Sequence, residues 1–338
     1  MPIPLTDFAY QLPEQLIAQH PLDKRDRARL MVLDRATGRI GHDVFANIGK
    51  YLPPKSVLVV NNSKVIPARL LGRKQRSDGK VEIFLLRKFP GGELYEALLR
   101  PLRKIREGDK ISFNGSSLVA QVIDKEKGIV RFNRKNLSAA LDKVGHIPLP
   151  PYIRRPDDKK DRVLYQTVYA KREGSVAAPT AGLHFTKALI KQLQGLGHSF
   201  EQVTLHVNYA TFKPVEEEDI TQHKMHSEDY AVSPVMWRRI NKAREEGRPV
   251  VAVGTTSCRV LEAAAATGKL NGETDIFIYP GYRFEMTDVL VTNFHLPHSS
   301  LLMLVQAFAG KELTRWAYAE AIREKYRFYS YGDGMIIK

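Results

Sequence analysis

Histidines placed among small and polar residues are the first sign of chemistry in this sequence. His184 lies in the segment 175–186, where several alanines and Gly182 leave room for a ligand close to the backbone. His226 lies two residues before Glu228, and His206 falls within a segment that alternates like a strand. Imidazole titrates near neutral pH, so one of these three histidines could give or take a proton. An ordinary turn before a helix explains the segment 175–186 equally well.

Two histidine pairs have the spacing HxxH, His223 with His226 and His295 with His298. No Glu follows His223 directly, so the spacing is not that of the zinc-protease helix. The chain has one cysteine, Cys258, so a metal site would have to form without a cluster of thiolates. We therefore expect no metal, and we keep a metal-dependent hydrolase as an alternative.

A cluster of hydroxyls follows a predicted buried strand. The apolar run 249–253 leads through Gly254 into Thr255, Thr256 and Ser257, where a helix begins. Ligands of α/β sheets bind at the carboxyl ends of strands, and hydroxyls there suit a sugar or a carboxylate. Simple N-capping explains them equally well. The sequence has neither the GxGxxG pattern nor the GK[ST] ending of a phosphate-binding loop.

Two aromatic segments could face a planar base. Tyr165 and Tyr169 are four residues apart in a predicted helix, with Gln166 beside them. Tyr282 and Phe284 flank an arginine after a further predicted strand. Packing in the core explains the two tyrosines of the helix equally well.

The region 67–149 differs from the rest of the chain. Its short segments rich in β-branched and aromatic residues alternate with Gly-containing turns, which predicts a small antiparallel barrel or sandwich, and of the two we expect a β-barrel domain. The flanking regions 1–66 and 150–338 mix strands and helices and predict one large, discontinuous α/β domain. Residues 66–150 hold 18 Lys and Arg against nine Asp and Glu, so much of the net charge of +15 lies there. Nucleic acid is the expected partner, and the sharpest basic cluster contains Arg100, Arg103 and Lys104.

Other features bear on where the protein works. No apolar run approaches the roughly 18 residues of a membrane span. The first residues have neither the basic nor the apolar stretch of a signal peptide. With a single cysteine, these features predict a cytoplasmic protein that is not attached to a membrane.

Together, these segments closely resemble the S-adenosylmethionine:tRNA ribosyltransferase-isomerases of queuosine biosynthesis. The resemblance covers nearly the whole chain and includes, in order, the segments 4–10, 57–69, 100–103, 161–170, 175–186, 223–228, 253–262, 279–284, 292–300 and 329–335. One departure follows His206 and Val207, where the family usually has glycines and this chain has Asn208-Tyr209-Ala210. These residues restrict the backbone more than glycines would, and this affects the turn and any ligand contact there.

The resemblance implies a large barrel-like α/β domain with a small β-barrel inserted. It also implies a tRNA-modifying transferase in which S-adenosylmethionine is consumed as a ribosyl donor. The ribosyl group is transferred and isomerised onto 7-aminomethyl-7-deazaguanine at the tRNA wobble position. Epoxyqueuosine-tRNA forms, and adenine and methionine are released. No other cofactor is implied, and we expect a monomer. The alternative from another class is a non-catalytic RNA-binding protein.

Roles for individual residues follow from this chemistry. The sulfonium acidifies the neighbouring C5′ hydrogens and adenine leaves more easily when protonated, so imidazole suits either step. We expect the acid/base group to comprise His184, His226 and Glu228, and the tRNA phosphates to meet Arg100, Arg103 and Lys104. The donor and the base are expected to contact Gly182, Thr255, Thr256, Ser257, Arg259 (through the methionine carboxylate), Tyr282, Phe284, Tyr165 and Gln166.

Overall fold

The computed structural model of the chain describes residues 2–208 and 214–338. Within these ranges the strands are β1 (Arg29–Leu33), β2 (Ile40–Val44), β3 (Val57–Asn61), β4 (Ser63–Val65), β5 (Arg69–Lys74), β6 (Lys80–Lys88), β7 (Leu94–Arg100), β8 (Lys110–Ser112), β9 (Val119–Asp124), β10 (Ile129–Phe132), β11 (Gly145–His146), β12 (Arg172–Ser175), β13 (Ser199–Leu205), β14 (Glu228–Val232), β15 (Val250–Val253), β16 (Asn271–Thr274), β17 (Val289–Asn293) and β18 (Gly334–Ile337). The α-helices are α1 (Ser138–Val144), α2 (Asp161–Leu164), α3 (Lys187–Gly195), α4 (Pro234–Glu245), α5 (Thr255–Thr267), α6 (Ser300–Ala309) and α7 (Lys311–Arg323). Short 3-10 helices occupy Leu5–Phe8, Glu14–Leu16, Arg25–Arg27, Phe45–Lys50, Leu102–Lys104, Thr180–His184 and Ile220–Gln222.

A nine-stranded mixed sheet forms the larger part of the molecule. Its strand order is β16-β14-β13-β3-β15-β17-β18-β1-β2, and β13, β3, β15 and β17 run parallel. Alternate residues of β3 enter two different cores, Val57 and Val59 on one face and Leu58 and Val60 on the other. Helices α4 to α7 cover the first face, and α3 covers the second. Because both faces are covered, the central strands are apolar at nearly every position, as the sequence indicated.

The second sheet closes into a small antiparallel barrel. Its strands follow the order β5-β6-β7-β10-β9-β8, and the pairing of β8 with β5 completes the circle. Inward-facing apolar side chains fill the barrel, among them Leu70, Ile83 and Val122. The predicted fold class, a mixed α/β protein with a small antiparallel barrel between parts of a larger unit, is confirmed. The division of the chain into domains at residues 67 and 149 stays a prediction.

A parallel ribbon of β4 and β12 lies where the chain leaves and re-enters the large sheet. β4 follows β3 directly and leads to the barrel, and β12 pairs with β4 on the return, with Arg172 opposite Ser63. The two connections therefore run side by side. This ribbon holds Lys64 and Glu173 at the junction between the barrel and the large sheet.

One predicted helix is shorter than the sequence indicated. Helix α2 ends at Leu164, so Tyr165 and Tyr169 do not share a helical face and that prediction is wrong. The predicted helix after Thr186 is confirmed, because the Thr186 hydroxyl accepts a hydrogen bond from the Leu189 N–H at 3.1 Å. In the portion of the chain that is described, no helix combines the length and the apolar character that a membrane crossing requires.

Candidate active site

A cavity of about 530 Å³, here called the barrel cavity, lies between the small barrel and the large sheet. Its walls come from the barrel strands β6 and β7, helix α1, the β4–β12 ribbon and the start of β14. The volume falls in the range of roughly 300–1,000 Å³ typical of ligand pockets. Polar side chains that line it include Lys64, Arg87, Gln166, Glu173, His206, Asn208, Glu228, Asp229 and Glu273.

A smaller recess, the strand-end pocket, opens at the carboxyl ends of β15 and β17. Thr255, Thr256 and residues 292–295 line it, together with residues 177–181. Gly254 has φ +90°, which turns the chain from β15 into α5, and no side chain of the described residues caps this helix. The Thr256 hydroxyl is buried and has no hydrogen-bond partner among the described residues, whereas the Ser257 hydroxyl donates to the Val253 carbonyl at 2.8 Å. Thr256 is therefore available to a ligand, and Ser257 is already engaged with the backbone.

A third recess, the histidine pocket, contains two of the predicted catalytic residues. His226 and Glu228 both line it, with Asn208 and His223. His226 is exposed, whereas the Glu228 side chain is 3% exposed and forms an ion pair with Arg259. Glu228 also accepts a hydrogen bond from the Asn208 N–H at 2.9 Å. Arg259, predicted to bind a carboxylate of the donor, thus binds a carboxylate of the protein itself.

The three recesses adjoin one another. Val207 lines both the barrel cavity and the strand-end pocket, and Asn208 and Glu228 line both the barrel cavity and the histidine pocket. Tyr209 and Ala210, part of the departure from the family pattern, lie outside the described residues.

His184 lies behind the strand-end pocket rather than within it. Its ring stacks on Phe45 at a centroid distance of 4.7 Å and lines a separate small recess with Arg25. Burial lowers the pKa of His184 to about 4, and a contact with the Asn293 side chain offsets this in part. Since Asn293 lines the strand-end pocket, it is the link between His184 and that pocket. The acid/base role of His184 stays a prediction.

Three other predicted residues make contacts within the protein. A Cβ at Gly182 would overlap the Tyr169 hydroxyl, so the missing side chain makes room for a tyrosine. Tyr165 is fully buried and packs edge-on against Tyr331 at 5.7 Å. The Gln166 amide bonds both the N–H and the carbonyl of Val65, and Gln166 lines the barrel cavity. Of these three, only Gln166 lines one of the recesses.

Tyr282 and Phe284 lie by the middle of α5, outside the linings of the three recesses. The Tyr282 hydroxyl donates to Glu262 at 3.3 Å, and Phe284 packs edge-on against Phe308 at 4.9 Å. Glu262 is fully buried and also accepts the Thr287 hydroxyl at 2.8 Å. The predicted contact of Tyr282 and Phe284 with a base stays a prediction.

The basic cluster of the barrel lies at the end of β7. Arg100, Arg103 and Lys104 are exposed, and none of them forms an ion pair with a residue in the described ranges. The cavity lining includes Leu85 of β6, which pairs with Ala97 of β7. Arg100 lies three residues beyond Ala97, so this loop is roughly 10 Å from the cavity along the strand.

In each HxxH pair, one histidine contacts a polar side chain outside the pair. His223 contacts Glu217 at 2.8 Å, and the His295 ring contacts the Thr292 hydroxyl at 2.8 Å. Burial lowers the pKa of His295 to about 3. Across residues 2–208 and 214–338, no group of three or more His, Cys, Asp or Glu is arranged to hold a metal ion.

Several polar residues of the barrel cavity were not among the predicted site residues. Arg87 forms an ion pair with Glu273, and Glu173 contacts Lys64 at 2.9 Å and the Ser138 hydroxyl at 3.3 Å. The first contact joins the barrel to the large sheet, and the other two hold the β4–β12 ribbon together and against α1. No local pattern marks them, because single charges near strand ends are common on protein surfaces. His206, by contrast, was among the three histidines considered from the sequence.

Fold and site together define a mixed α/β protein whose polar recesses lie between a large sheet and a basic inserted barrel. A sequence model of the family described as "Queuosine biosynthesis protein" matches residues 5–337. This chain belongs to that family.

Curated relatives that share one name align with this chain over nearly their whole length. The S-adenosylmethionine:tRNA ribosyltransferase-isomerase of Sulfurihydrogenibium sp. (strain YO3AOP1) is 48% identical over 334 residues, which cover 98% of this chain and 99% of the relative. The protein of that name from Thermoanaerobacter sp. (strain X514) is 50% identical over 340 residues, with coverage of 98% and 99%. The crystal structure of an S-adenosylmethionine tRNA ribosyltransferase from Thermotoga maritima is 38% identical, with a TM-score of 0.57 and coverage of 98% of this chain and 100% of that one. The predicted family and enzyme class are thereby confirmed, and the names support neither alternative.

Proposed function

We propose that this chain transfers and isomerises the ribosyl group of S-adenosylmethionine onto 7-aminomethyl-7-deazaguanine at the wobble position of tRNA. Adenine and methionine leave, S-adenosylmethionine is consumed, and no other cofactor takes part. The observation that carries this proposal is the junction of three polar recesses beside a basic barrel. A nucleoside-sized donor and a base of a polyanionic partner have to meet there. The relatives' names supply the reaction.

The donor's methionine end occupies the strand-end pocket in this proposal, and its ribose extends toward the barrel cavity past Val207, which lines both recesses. The unpartnered Thr256 hydroxyl and the first N–H groups of α5 face a ligand at this place. The positive end of a helix dipole suits the methionine carboxylate. This assignment gives the carboxylate a site that does not require Arg259, whose guanidinium is paired with Glu228.

The acceptor base enters the barrel cavity from the tRNA. A base that reacts in a protein pocket leaves its stack, and the cavity is large enough for one. The exposed Arg100, Arg103 and Lys104 bind tRNA phosphates at the far end of β7. A distance of roughly 10 Å along the strand separates these phosphates from the reacting nucleotide.

Proton transfer takes place where the recesses meet. Glu228, held by Arg259 and the Asn208 N–H, presents a fixed carboxylate, and His226 lies at the rim of the same pocket. His184 contributes through its contact with Asn293. We further propose that the protein acts as a monomer in the cytoplasm.

Adenine release tests the proposed function. The protein is mixed with S-adenosylmethionine and tRNA that carries the deazaguanine precursor, and adenine is measured by chromatography with and without a chelator. We expect release that requires the precursor tRNA and is insensitive to the chelator. Binding of tRNA without any release would indicate a non-catalytic RNA-binding protein, and chelator-sensitive release would indicate a metal-dependent enzyme.

A further inference from the structure

His206 is fixed at a wall of the barrel cavity. It directly follows β13, and its N–H donates to the Asp229 carbonyl at 2.9 Å, which continues the pairing of β13 with β14. The residue lines the cavity alongside Glu228 and Asp229. This backbone hydrogen bond therefore fixes where the His206 side chain leaves the strand, at the wall of the cavity.

The His206 ring packs against Gly174 of the β4–β12 ribbon. A Cβ at Gly174 would lie 3.1 Å from both Cε1 and Nδ1 of the ring, closer than ordinary side-chain contacts. Gly174 also has φ +135°, a conformation that other residues rarely adopt. The glycine thus lets the ribbon approach the ring and fixes its orientation.

The His206 ring has one nitrogen against the ribbon and one that can face the cavity. Nδ1 is buried next to Gly174 and has no hydrogen-bond partner within the described ranges. His146, by contrast, contacts Asp157 at 2.9 Å, and His223 and His295 have polar partners as well. Burial lowers the pKa of His206, an effect that Asp229 opposes and Arg172 reinforces, so the imidazole is neutral near pH 7. Because Nδ1 is enclosed, Nε2 is the nitrogen that can reach a ligand in the cavity, and Nε2 of a neutral imidazole whose Nδ1 carries the hydrogen can accept a proton.

We propose that His206 is the base that removes a proton from C5′ of S-adenosylmethionine. The C5′–H bond breaks, its electron pair stays on the carbon beside the sulfonium, and a new N–H bond forms on the imidazole. When the bond between C1′ and adenine breaks, its electron pair leaves with adenine. The pair held on C5′ forms the C4′–C5′ double bond as the C4′–O4′ bond breaks, and the pair from that bond forms the C=O bond at C1′. The imidazolium gives its proton to the departing adenine. His206 ends neutral, as it began. The inference rests on the proposed function and names the proton acceptor in it.

The test compares two histidines in the full-length protein. His198 is the matched control, because it too has a buried Nδ1 without a hydrogen-bond partner among the described residues and a pKa lowered by burial, but lines none of the three recesses. Single-turnover adenine release is measured for His206→Ala and His198→Ala with precursor tRNA. Affinity for S-adenosylmethionine and for tRNA is measured separately.

We expect His206→Ala to slow adenine release by roughly 100- to 10,000-fold, as loss of an acid/base group does. Affinity for both substrates should stay unchanged, and added imidazole should restore part of the rate. His198→Ala should react like the wild type. If His206→Ala does not fold, His206→Gln replaces it, and folding is followed by thermal unfolding.

Two results would overturn the inference while leaving the proposed function standing. One is a His206→Ala protein that keeps the wild-type rate. The other is a loss of rate matched by an equal loss of affinity for S-adenosylmethionine, which would make His206 a binding residue. A wild-type protein that releases no adenine contradicts the proposed function, and the inference with it.

Discussion

Arg259 and Glu228 form an ion pair that water barely reaches. Their side chains are 4% and 3% exposed, and Arg259 also donates to the Ile276 carbonyl at 3.3 Å. The pair joins α5 to β14 at the wall shared by the barrel cavity and the histidine pocket. Removing one partner of a buried pair leaves the other charge without compensation, which costs more than removing both.

Arg259→Met is therefore expected to lower the free energy of unfolding by about 3–5 kcal/mol, measured by urea denaturation. The double variant Arg259→Met/Glu228→Gln should recover much of this loss, because no unpaired charge remains. If Arg259→Met kept its stability and only raised the KM for S-adenosylmethionine, Arg259 would bind the donor's carboxylate, as the sequence predicted.

Two neighbouring hydroxyls at the start of α5 should behave differently. Thr256→Val removes a buried hydroxyl that has no partner in the described chain, so we expect an unchanged unfolding temperature and a KM for S-adenosylmethionine raised roughly three- to tenfold. Ser257→Ala removes a bond to Val253, so it should cost about 1 kcal/mol of stability and leave the KM unchanged. The opposite pattern would show that Ser257 holds the donor.

Arg103→Ala should weaken tRNA binding and reduce the slope of log affinity against log salt concentration by about 1. Lys127→Ala is the matched control, because Lys127 is also exposed on the barrel but lies 3.6 Å from Asp124. Filter binding at several salt concentrations measures both. If Arg103→Ala changed only the affinity for S-adenosylmethionine, the barrel would not be the tRNA-binding unit.

The folded protein should be less stable in acid because His184 is buried in its neutral form. Its pKa falls from 6.5 to about 4 on burial, so its contribution is complete above pH 6.5 and is lost as the pH drops toward 4. At pH 5 the expected loss relative to pH 7 is about 2 kcal/mol from this group. His295, also buried, adds to the total. His184→Asn should show a shallower fall in unfolding free energy between pH 7 and 5, and an unchanged slope would refute this assignment.

The fold and the family could be predicted because their signals are local and numerous. Short apolar segments between turns indicate a small antiparallel β-structure without knowledge of the strand partners, and the run 57–61 is apolar because both faces of its strand are covered. At Thr186 and Ser299, the N-cap hydroxyl accepts the N–H of the residue three positions later, and this short spacing is visible in the sequence.

The site could be predicted only in part, because it depends on which way side chains turn. Gly182 looked like room for a ligand, but that room is taken by Tyr169, which is 13 residues earlier in the chain. The His184 ring is turned toward Phe45, and the guanidinium of Arg259 in α5 pairs with Glu228 of β14. Each of these contacts is long-range or depends on the conformation of a loop, so residue type and spacing do not determine it.

The most direct measurement of the central claim follows the ribose itself. S-adenosylmethionine labelled with ¹³C in the ribose is incubated with the protein and precursor tRNA, the tRNA is digested, and its nucleosides are analysed by mass spectrometry. We expect all five ribose carbons to appear in the modified wobble nucleoside and the methyl group to be absent from it. Adenine release with no label in the tRNA, or transfer of the methyl group instead, would contradict the proposed ribosyl transfer.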